Sequence, residues 1–372
     1  MEVLDFMNSN ENWEEILTGD PWHIRVSRDG DYVLLKYNQL DSDFSLNIVR
    51  ECRGAIFYKN DDGKYECVCR AFDKFGNHGE GYVPNIDWDS VVVEEKVDGS
   101  LQKIWYHNGQ WHFSTNGMID SVKATYDDLG NSFGDLVREA LVDEDNMKSL
   151  LDSFDNNYTY MFELVSPKVQ MTCYYPETKL YYLGQRDMRT MKESKEYTEQ
   201  MKQCGVLTPK IYPLTTLEEC LSYVKCMTKD EEGFVIKDKN FNRMKLKSPQ
   251  YLMAFHMNNN GAITTKRIIK IIKNDMLDDF IAYCPQYKEQ VDEALRMIEM
   301  IAWDFENTWE QAQRVYSKDR KEFAENICMF KYQDYIWARY DGWFDNAIDY
   351  IMNMTNNRIV RLIKQKKNEV GC

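Results

Sequence analysis

No stretch of the sequence stays apolar for long enough to cross a bilayer, which argues against a membrane-spanning protein. The opening residues Met1-Glu2-Val3-Leu4-Asp5 are acidic and carry no signal-peptide pattern, so the expected compartment is the cytosol. No CxxC pair occurs, and the five histidines do not cluster with cysteines at zinc-ligand spacing, which argues against a zinc module. The ten cysteines are scattered rather than framed as a disulfide set, and reduced, partly buried thiols are expected. Only Cys67 and Cys69 are close, and strand alternation would turn both to one face. Positive charge is in deficit. A formal charge of -15 argues against a nonspecific nucleic-acid coat, although a local basic cleft can sit on an acidic body. There is no internal repeat and no low-complexity tract.

What the chain does contain is the material of a folded protein. Hydrophobic residues make up 43% and aromatics 13%, and 372 residues suffice for two domains with full-sized cores. The first part reads as short strands and turns, with Val33–Tyr37, Gly54–Tyr58 and Tyr65–Cys69 separated by turn residues. Asn108-Gly109 between two strand-like runs is a strong hairpin signal. Helical spacing is expected over 121–155, 190–205 and 215–228, and strands over Tyr158–Val165, Lys179–Gly184, Glu232–Lys237 and Arg243–Lys247. Composition shifts at Met257-Asn258-Asn259-Asn260-Gly261, and beyond it 3.6-residue periodicity dominates. There Val291, Ile298, Ile301, Trp303 and Phe305 lie on one long helix. The expected architecture is α+β, with mixed antiparallel sheets over residues 1–256 and an all-α domain over 262–372.

One stretch organises the rest. Val91-Val92-Val93 reads as a buried strand running into Lys96, followed by the tight turn Val97-Asp98-Gly99. A lysine at the end of a core strand suits a nucleophile, because partial desolvation and nearby cations favour the neutral amine. A hairpin turn that happens to begin with lysine is the plainer reading, since Lys-x-Asp-Gly arises by chance in roughly one chain in ten of this length. Further along, alternation puts Lys245 and Lys247 on one strand face and Leu246 on the other. Two lysines on one face of an apolar sheet call for an anionic partner such as phosphate, unless the strand is a solvated edge.

Taken in order, Lys96-Val97-Asp98-Gly99, Phe162-Glu163, Glu232-Gly233-Phe234-Val235 and Lys245-Leu246-Lys247 resemble the motifs of the covalent nucleotidyltransferases, which comprise RNA ligases, ATP-dependent DNA ligases and mRNA capping enzymes. The upstream Glu51-Cys52-Arg53-Gly54 and Lys74-Phe75 narrow the resemblance to the phage RNA ligase 1 family of tRNA-repair ligases, over residues 50–250. That likeness implies an adenylyltransferase domain of the ligase type, called ATP-grasp-like, and a three-step reaction. Lys96 would attack the α-phosphorus of ATP and carry AMP, which passes to an RNA 5′-phosphate and is displaced by a 3′-hydroxyl. It implies catalytic or nucleotide-binding roles for Lys245 and Lys247, and nucleotide contacts from Arg53, Lys74, Glu163 and Glu232. Glu232 would also support Mg²⁺, with Mn²⁺ as a substitute. The implied partner is RNA with 3′-hydroxyl and 5′-phosphate ends, in particular tRNA. The protein would be a monomer without membrane contact, in the host cytoplasm if its origin is viral.

Three departures from the family pattern stand out. Gly76 follows Phe75 where a second aromatic is usual, Asn116 stands where a basic residue usually precedes Gly117, and the arginine expected after Pro167 is absent from Val169-Gln170-Met171. DNA ligases and capping enzymes carry a β-rich OB domain after the last motif, which the helical periodicity of 262–367 does not match. Two basic runs, Lys266/Arg267/Lys270/Lys273 and Arg358/Arg361/Lys364/Lys366/Lys367, are either RNA contacts or solvated helix faces. Asp278-Asp279 can be read as a second metal site or as a solvent-facing pair. A DNA ligase, a capping guanylyltransferase, and a noncatalytic RNA-binding protein on a ligase scaffold remain the alternatives.

Overall fold

β-Branched and aromatic residues fill the strands, and in the computed structural model of the protein they pair into three sheets. The structure describes the chain apart from residues 40, 128, 129, 171, 258–262, 274–276, 278, 279, 282–284, 371 and 372. The expected linker beyond Met257, Met171 and the Asp278-Asp279 pair thus lie outside the described residues. Two compact units result, Met1–Val26 with Asp31–Ala262, and Ser27–Gly30 with Ile263–Cys372.

The strands are β1 (Ile24–Asp29), which begins in the first unit, and, within that unit, β2 (Tyr32–Tyr37), β3 (Arg53–Lys59), β4 (Tyr65–Cys69), β5 (Val92–Glu95), β6 (Ser100–His107) and β7 (Gln110–Thr115). They continue with β8 (Tyr158–Val165), β9 (Lys179–Asp187), β10 (Glu193–Ser194), β11 (Ile211–Tyr212), β12 (Gly233–Lys237) and β13 (Arg243–Lys247). The sheets run β1-β2-β3-β4, β10-β9-β8-β6-β7 and β11-β5-β12-β13. The pairings between β8 and β9, β6 and β8, and β5 and β12 are antiparallel. As expected, Asn108 and Gly109 both take positive φ in the hairpin joining β6 to β7.

Each sheet has its own apolar backing. Helices Phe133–Ala140 and Glu144–Asp152 pack Leu136, Val137 and Leu150 against Ile104, Phe162, Leu180 and Tyr182 of the second sheet. Helix Leu217–Val224 packs Cys220 and Val224 with Val93, Phe234, Ile236, Met244 and Leu246 of the third. Between the first and second sheets lie Leu34, Ile56, Val68, Cys69 and Trp105. Fully burying one such large side chain is worth about 1.5–3 kcal/mol.

Several local expectations change. The 121–155 stretch is helical only from Phe133, because Asp120 and Asp127 turn the preceding chain by accepting from the backbone N–H groups of Val122 and Asn131. Ser132 and Asp135 then form a reciprocal cap at the helix start. Within 190–205, Glu193–Ser194 is a short strand and only Glu199–Gln203 is helical, starting where the Thr198 side chain caps it. Cys67 and Cys69 do not share a face. A register shift between Ile56 and Phe57 inserts a bulge, so Cys67 packs with Phe57 and Cys69 with Ile56. No disulfide joins the described cysteines.

The second unit is built on the 26-residue helix Lys288–Gln313, whose buried stripe of Val291, Ala294, Ile298, Ile301, Phe305 and Trp309 follows helical spacing. Ile336, Ile351, Ile359 and Ile363 close the same core. Trp303, expected among the apolar leaders, falls off that stripe and is 67% exposed. Among the described residues no strand follows Lys247, and no helix is long and apolar enough to cross a membrane.

Candidate active site

The third sheet carries its chemistry on one face. Met244 and Leu246 of β13 enter the core, which leaves Arg243, Lys245 and Lys247 on the opposite face, as alternation requires. The β12–β13 register sets Gly233 opposite Lys247 and Val235 opposite Lys245, while β5 pairs Glu94 with Val235. Lys96 lies just past β5, its backbone N–H donating to the Gly233 carbonyl at 2.9 Å. Gly233 has φ +138°, and a Cβ there would meet the Leu246 carbonyl oxygen at 2.1 Å. Only glycine lets β12 begin this close to β13.

Glu232, immediately before β12, is where the charges converge. Lys96 Nζ donates to Glu232 Oε2 at 2.7 Å, and Lys247 Nζ lies 2.9 Å from Oε1. The Glu232 and Lys247 side chains are almost fully buried, whereas Lys96 keeps 19% of its side chain exposed. Two ammonium groups thus share one carboxylate, and the more accessible of them is the lysine at the strand end. Removing the shared partner from such a buried group costs about 3–5 kcal/mol.

Glu163 of β8 joins this group. Gly99 makes the approach possible, since a Cβ there would come within 2.9 Å of Glu163 Cγ and 2.4 Å of the Leu164 carbonyl oxygen. Burial pushes the Glu163 carboxyl up to about 7, with Lys96 opposing the rise and Glu232 adding to it. Asp98 proves to be more than a turn former. Its Oδ2 accepts from the N–H groups of Thr172 and Cys173, its Oδ1 accepts from the Tyr251 hydroxyl, and its own N–H donates to the Tyr175 hydroxyl. Burial, reinforced by Glu232, raises the Asp98 pKa. Tyr251 was not singled out in the sequence. Its ring also lies 5.6 Å from Lys247 Nζ, and an aromatic four residues after a strand lysine, in a helix opened by Pro249, was the available signal.

The remaining candidate residues sit on neighbouring elements. Arg53 opens β3 with its guanidinium 4.6 Å above the Phe72 ring, and its buried Nη1 has no hydrogen-bond partner. Lys74 is 5% exposed, with Nζ over Phe44 at 4.8 Å and Tyr37 at 5.3 Å. Lys245 Nζ lies over Phe75 at 5.1 Å, and its backbone bonds to Gly76 and His78 fasten the 74–78 segment along β13. A Cβ at Gly76 would fall 2.6 Å from Glu80 Oε2 and 2.9 Å from the Tyr82 ring, so a larger residue there would have to displace those side chains. The ring beside this position is supplied by Tyr82 instead. Asn116 is buried, with its backbone carbonyl against Gly54. Farther along the same sheet face Glu94 takes Lys195 and Lys237, at 2.8 and 3.0 Å.

An accessible amine, a carboxylate between two ammoniums, a carboxyl that titrates near neutrality and an unsatisfied buried guanidinium N–H together suit an anion that is attacked at one atom. Among the described residues no group of three or more His, Cys, Asp or Glu is placed to hold a metal ion. The donors present suit a divalent cation only if most of its oxygen ligands come with a phosphate, as is usual for Mg²⁺.

Comparison with known proteins gives a consistent picture. The RNA ligase family of the phage RNA ligase 1 type matches residues 51–251. A candidate bifunctional polynucleotide kinase/RNA ligase of Autographa californica nuclear polyhedrosis virus is 32% identical over 278 residues, covering 70% of this chain and 38% of the viral protein. An RNA ligase of Rhodothermus phage RM378 is 23% identical over 385 residues, covering 84% of this chain and 86% of that one. Among solved structures, an archaeal ATP-dependent RNA ligase is similar over 91% of this chain and 98% of its own, at 15% identity and a TM-score of 0.43. The chain therefore spans less than two fifths of the length of the viral relative.

Proposed function

This chain belongs to the RNA ligase family of the phage RNA ligase 1 type, and from that premise we propose that it is an ATP-dependent ligase that joins RNA 3′-hydroxyl and 5′-phosphate ends through AMP carried on Lys96. The observation that carries the reading is the meeting of Lys96 and Lys247 on Glu232, beside an Arg53 guanidinium that owes a hydrogen bond. In the first step the Lys96 amine forms an N–P bond to the α-phosphorus of ATP as the P–O bond to pyrophosphate breaks. Paired with Glu232 as an ammonium, Lys96 has no lone pair with which to attack, so in that state it must first lose a proton. Glu232, 2.7 Å away, is the acceptor in place. Lys247, Lys245, Lys74 and Arg53 neutralise charge accumulating on the phosphates, and Glu163 holds the ribose or its neighbourhood. Mg²⁺, or Mn²⁺ in its place, would add charge neutralisation at the phosphates, with Glu232 as its protein ligand.

In the second step the 5′-phosphate of RNA takes AMP from Lys96, forming a P–O–P bond as the N–P bond breaks. In the third the RNA 3′-hydroxyl attacks that phosphate, and AMP leaves. Broken tRNA is the proposed RNA, on the likeness of Arg53, Lys74 and the later motifs to tRNA-repair ligases, with the helical unit selecting it. That unit, in place of a β-rich domain after Lys247, favours RNA ligation over DNA ligation or capping. The test is incubation with ATP or GTP and a tRNA anticodon loop nicked to leave 3′-hydroxyl and 5′-phosphate ends. Sealing with ATP alone supports the proposal. Nucleotide transfer from GTP alone would make the protein a capping enzyme, and no reaction with either nucleotide would leave a noncatalytic RNA-binding scaffold.

A further inference from the structure

One buried charge has no role in the chemistry above. Lys103 lies in the middle of β6 with 0% of its surface exposed. It faces the first sheet between Leu101 and Trp105, opposite Ser114 of β7 and Met161 of β8, all four of them buried. Among the described residues no carboxylate pairs with it, and its ammonium donates to the carbonyl oxygen of Gly54. Burial lowers its pKa, Cys69 opposes that, and the neighbouring charge of Arg53 adds to it. A buried ammonium without a carboxylate is costly compared with an apolar residue of similar size, which points to a role other than stability.

Gly54 is a constrained place to anchor. Its φ is +69°, and a Cβ would come within 2.6 Å of the Asn116 carbonyl oxygen. Lys103 from β6 therefore holds one peptide of β3 by its carbonyl, while the Asn116 backbone beyond β7 packs close against the Gly54 Cα. That peptide is attached directly to Arg53, whose guanidinium rests on Phe72 with a buried Nη1 lacking any acceptor. Two adjacent cations share this spot, one satisfied only by a carbonyl and the other incomplete. We propose that Lys103 is a positioning residue: through the Gly54 carbonyl it sets Arg53 to receive the phosphate chain of a nucleotide, and its charge adds to the attraction for that anion. The inference rests on the ligase reading for the identity of the anion, but its test reads binding alone. If Lys103 served only to tie two sheets together, its loss would lower the melting temperature and leave anion affinity untouched.

Calorimetric titration of the full chain with ATP and with pyrophosphate separates the two roles. Lys103→Met is expected to weaken both ligands roughly tenfold, and Lys103→Gln, which keeps a donor but not the charge, about threefold. In an Arg53→Met background either change is expected to add less than about twofold, because the two residues act as a unit. Unchanged affinity in Lys103→Met, or losses that multiply independently of Arg53, would overturn the proposal. Should Lys103→Met not fold, Lys103→Gln decides: a deficit that disappears with Arg53→Met supports it, and wild-type affinity refutes it. Wild-type protein that binds ATP without ever forming a lysine adduct would refute the ligase reading and leave the role of Lys103 intact. Failure to bind either ligand would remove both.

Discussion

In the helical unit Lys366 donates to Asp304, Lys367 to Glu293, Lys273 to the Met354 carbonyl, and Arg358 pairs with Asp334. These are members of the two basic runs that the sequence offered as possible RNA contacts, and here they fasten helices. At the candidate site of the sheet unit the arrangement differs, although elsewhere in that unit Arg70, Arg186 and Arg243 are paired with carboxylates. Lys96 and Lys247 compete for one carboxylate, Arg53 Nη1 has no acceptor, and Lys103 has only a carbonyl. Each of those helical-unit cations has a partner of its own, whereas Lys96 and Lys247 share one carboxylate beside an incomplete Arg53, which is why the proposed anion site is placed there. Of the two basic runs, Lys266, Arg361 and Lys364 remain exposed on the helical unit.

The contrast is broken most severely at the proposed nucleophile. Lys96→Ala is expected to reduce lysine–AMP formation by about 10⁴-fold or more in a single-turnover assay with labelled ATP, and residual adduct near the wild-type level would contradict the site. Next comes Glu232→Gln, which leaves Lys96 and Lys247 facing a neutral amide. A fall of about 10²–10³-fold in the same rate is expected, and a change below threefold would show that the shared carboxylate is incidental.

The third effect is one of pH. The Glu163 carboxyl is held at about 7 against an ordinary value of 4.5, so the folded protein keeps a proton that the unfolded chain gives up. The stabilisation is full below about 4.5 and is lost as pH rises through about 7. Melting curves of wild type and Glu163→Gln between those limits should diverge by ~1–3 kcal/mol, whereas parallel curves would place the carboxyl in ordinary solvent.

Two smaller changes test the helical side. Lys366→Met should cost about 1 kcal/mol in denaturant unfolding, since it removes a hydrogen-bonded ion pair, with adduct formation unaltered. Lys367→Ala breaks a more exposed pair with Glu293 and should cost no more than ~0.5 kcal/mol. A collapse of adduct formation in either variant would erase the distinction between the units.

The elements with local signatures were legible in the sequence: the Asn108-Gly109 hairpin, the alternation of Lys245 and Lys247, and the helical spacing after residue 262. The members of the candidate site were legible from their order along the chain. What the order could not give was the sharing of Glu232, which depends on β5, β12 and β13 pairing across more than a hundred residues. Cys67 and Cys69 were misplaced because a bulge shifts the period of two and leaves no mark on composition. Lys103 was invisible for a similar reason: within Leu101-Gln102-Lys103-Ile104 a lysine reads as a solvent-facing residue, and only the first sheet packed over β6 makes it buried. Asp98 and Tyr251 meet across 153 residues, a contact beyond the reach of any local pattern.

Peptide mapping of the protein after incubation with ATP and Mg²⁺ tests the central claim most directly. AMP is predicted on the peptide containing Lys96, released by acid as expected of a phosphoramide and absent from Lys96→Ala. AMP on Lys245, Lys247 or Lys103, or none on wild-type protein that binds ATP, would contradict the account.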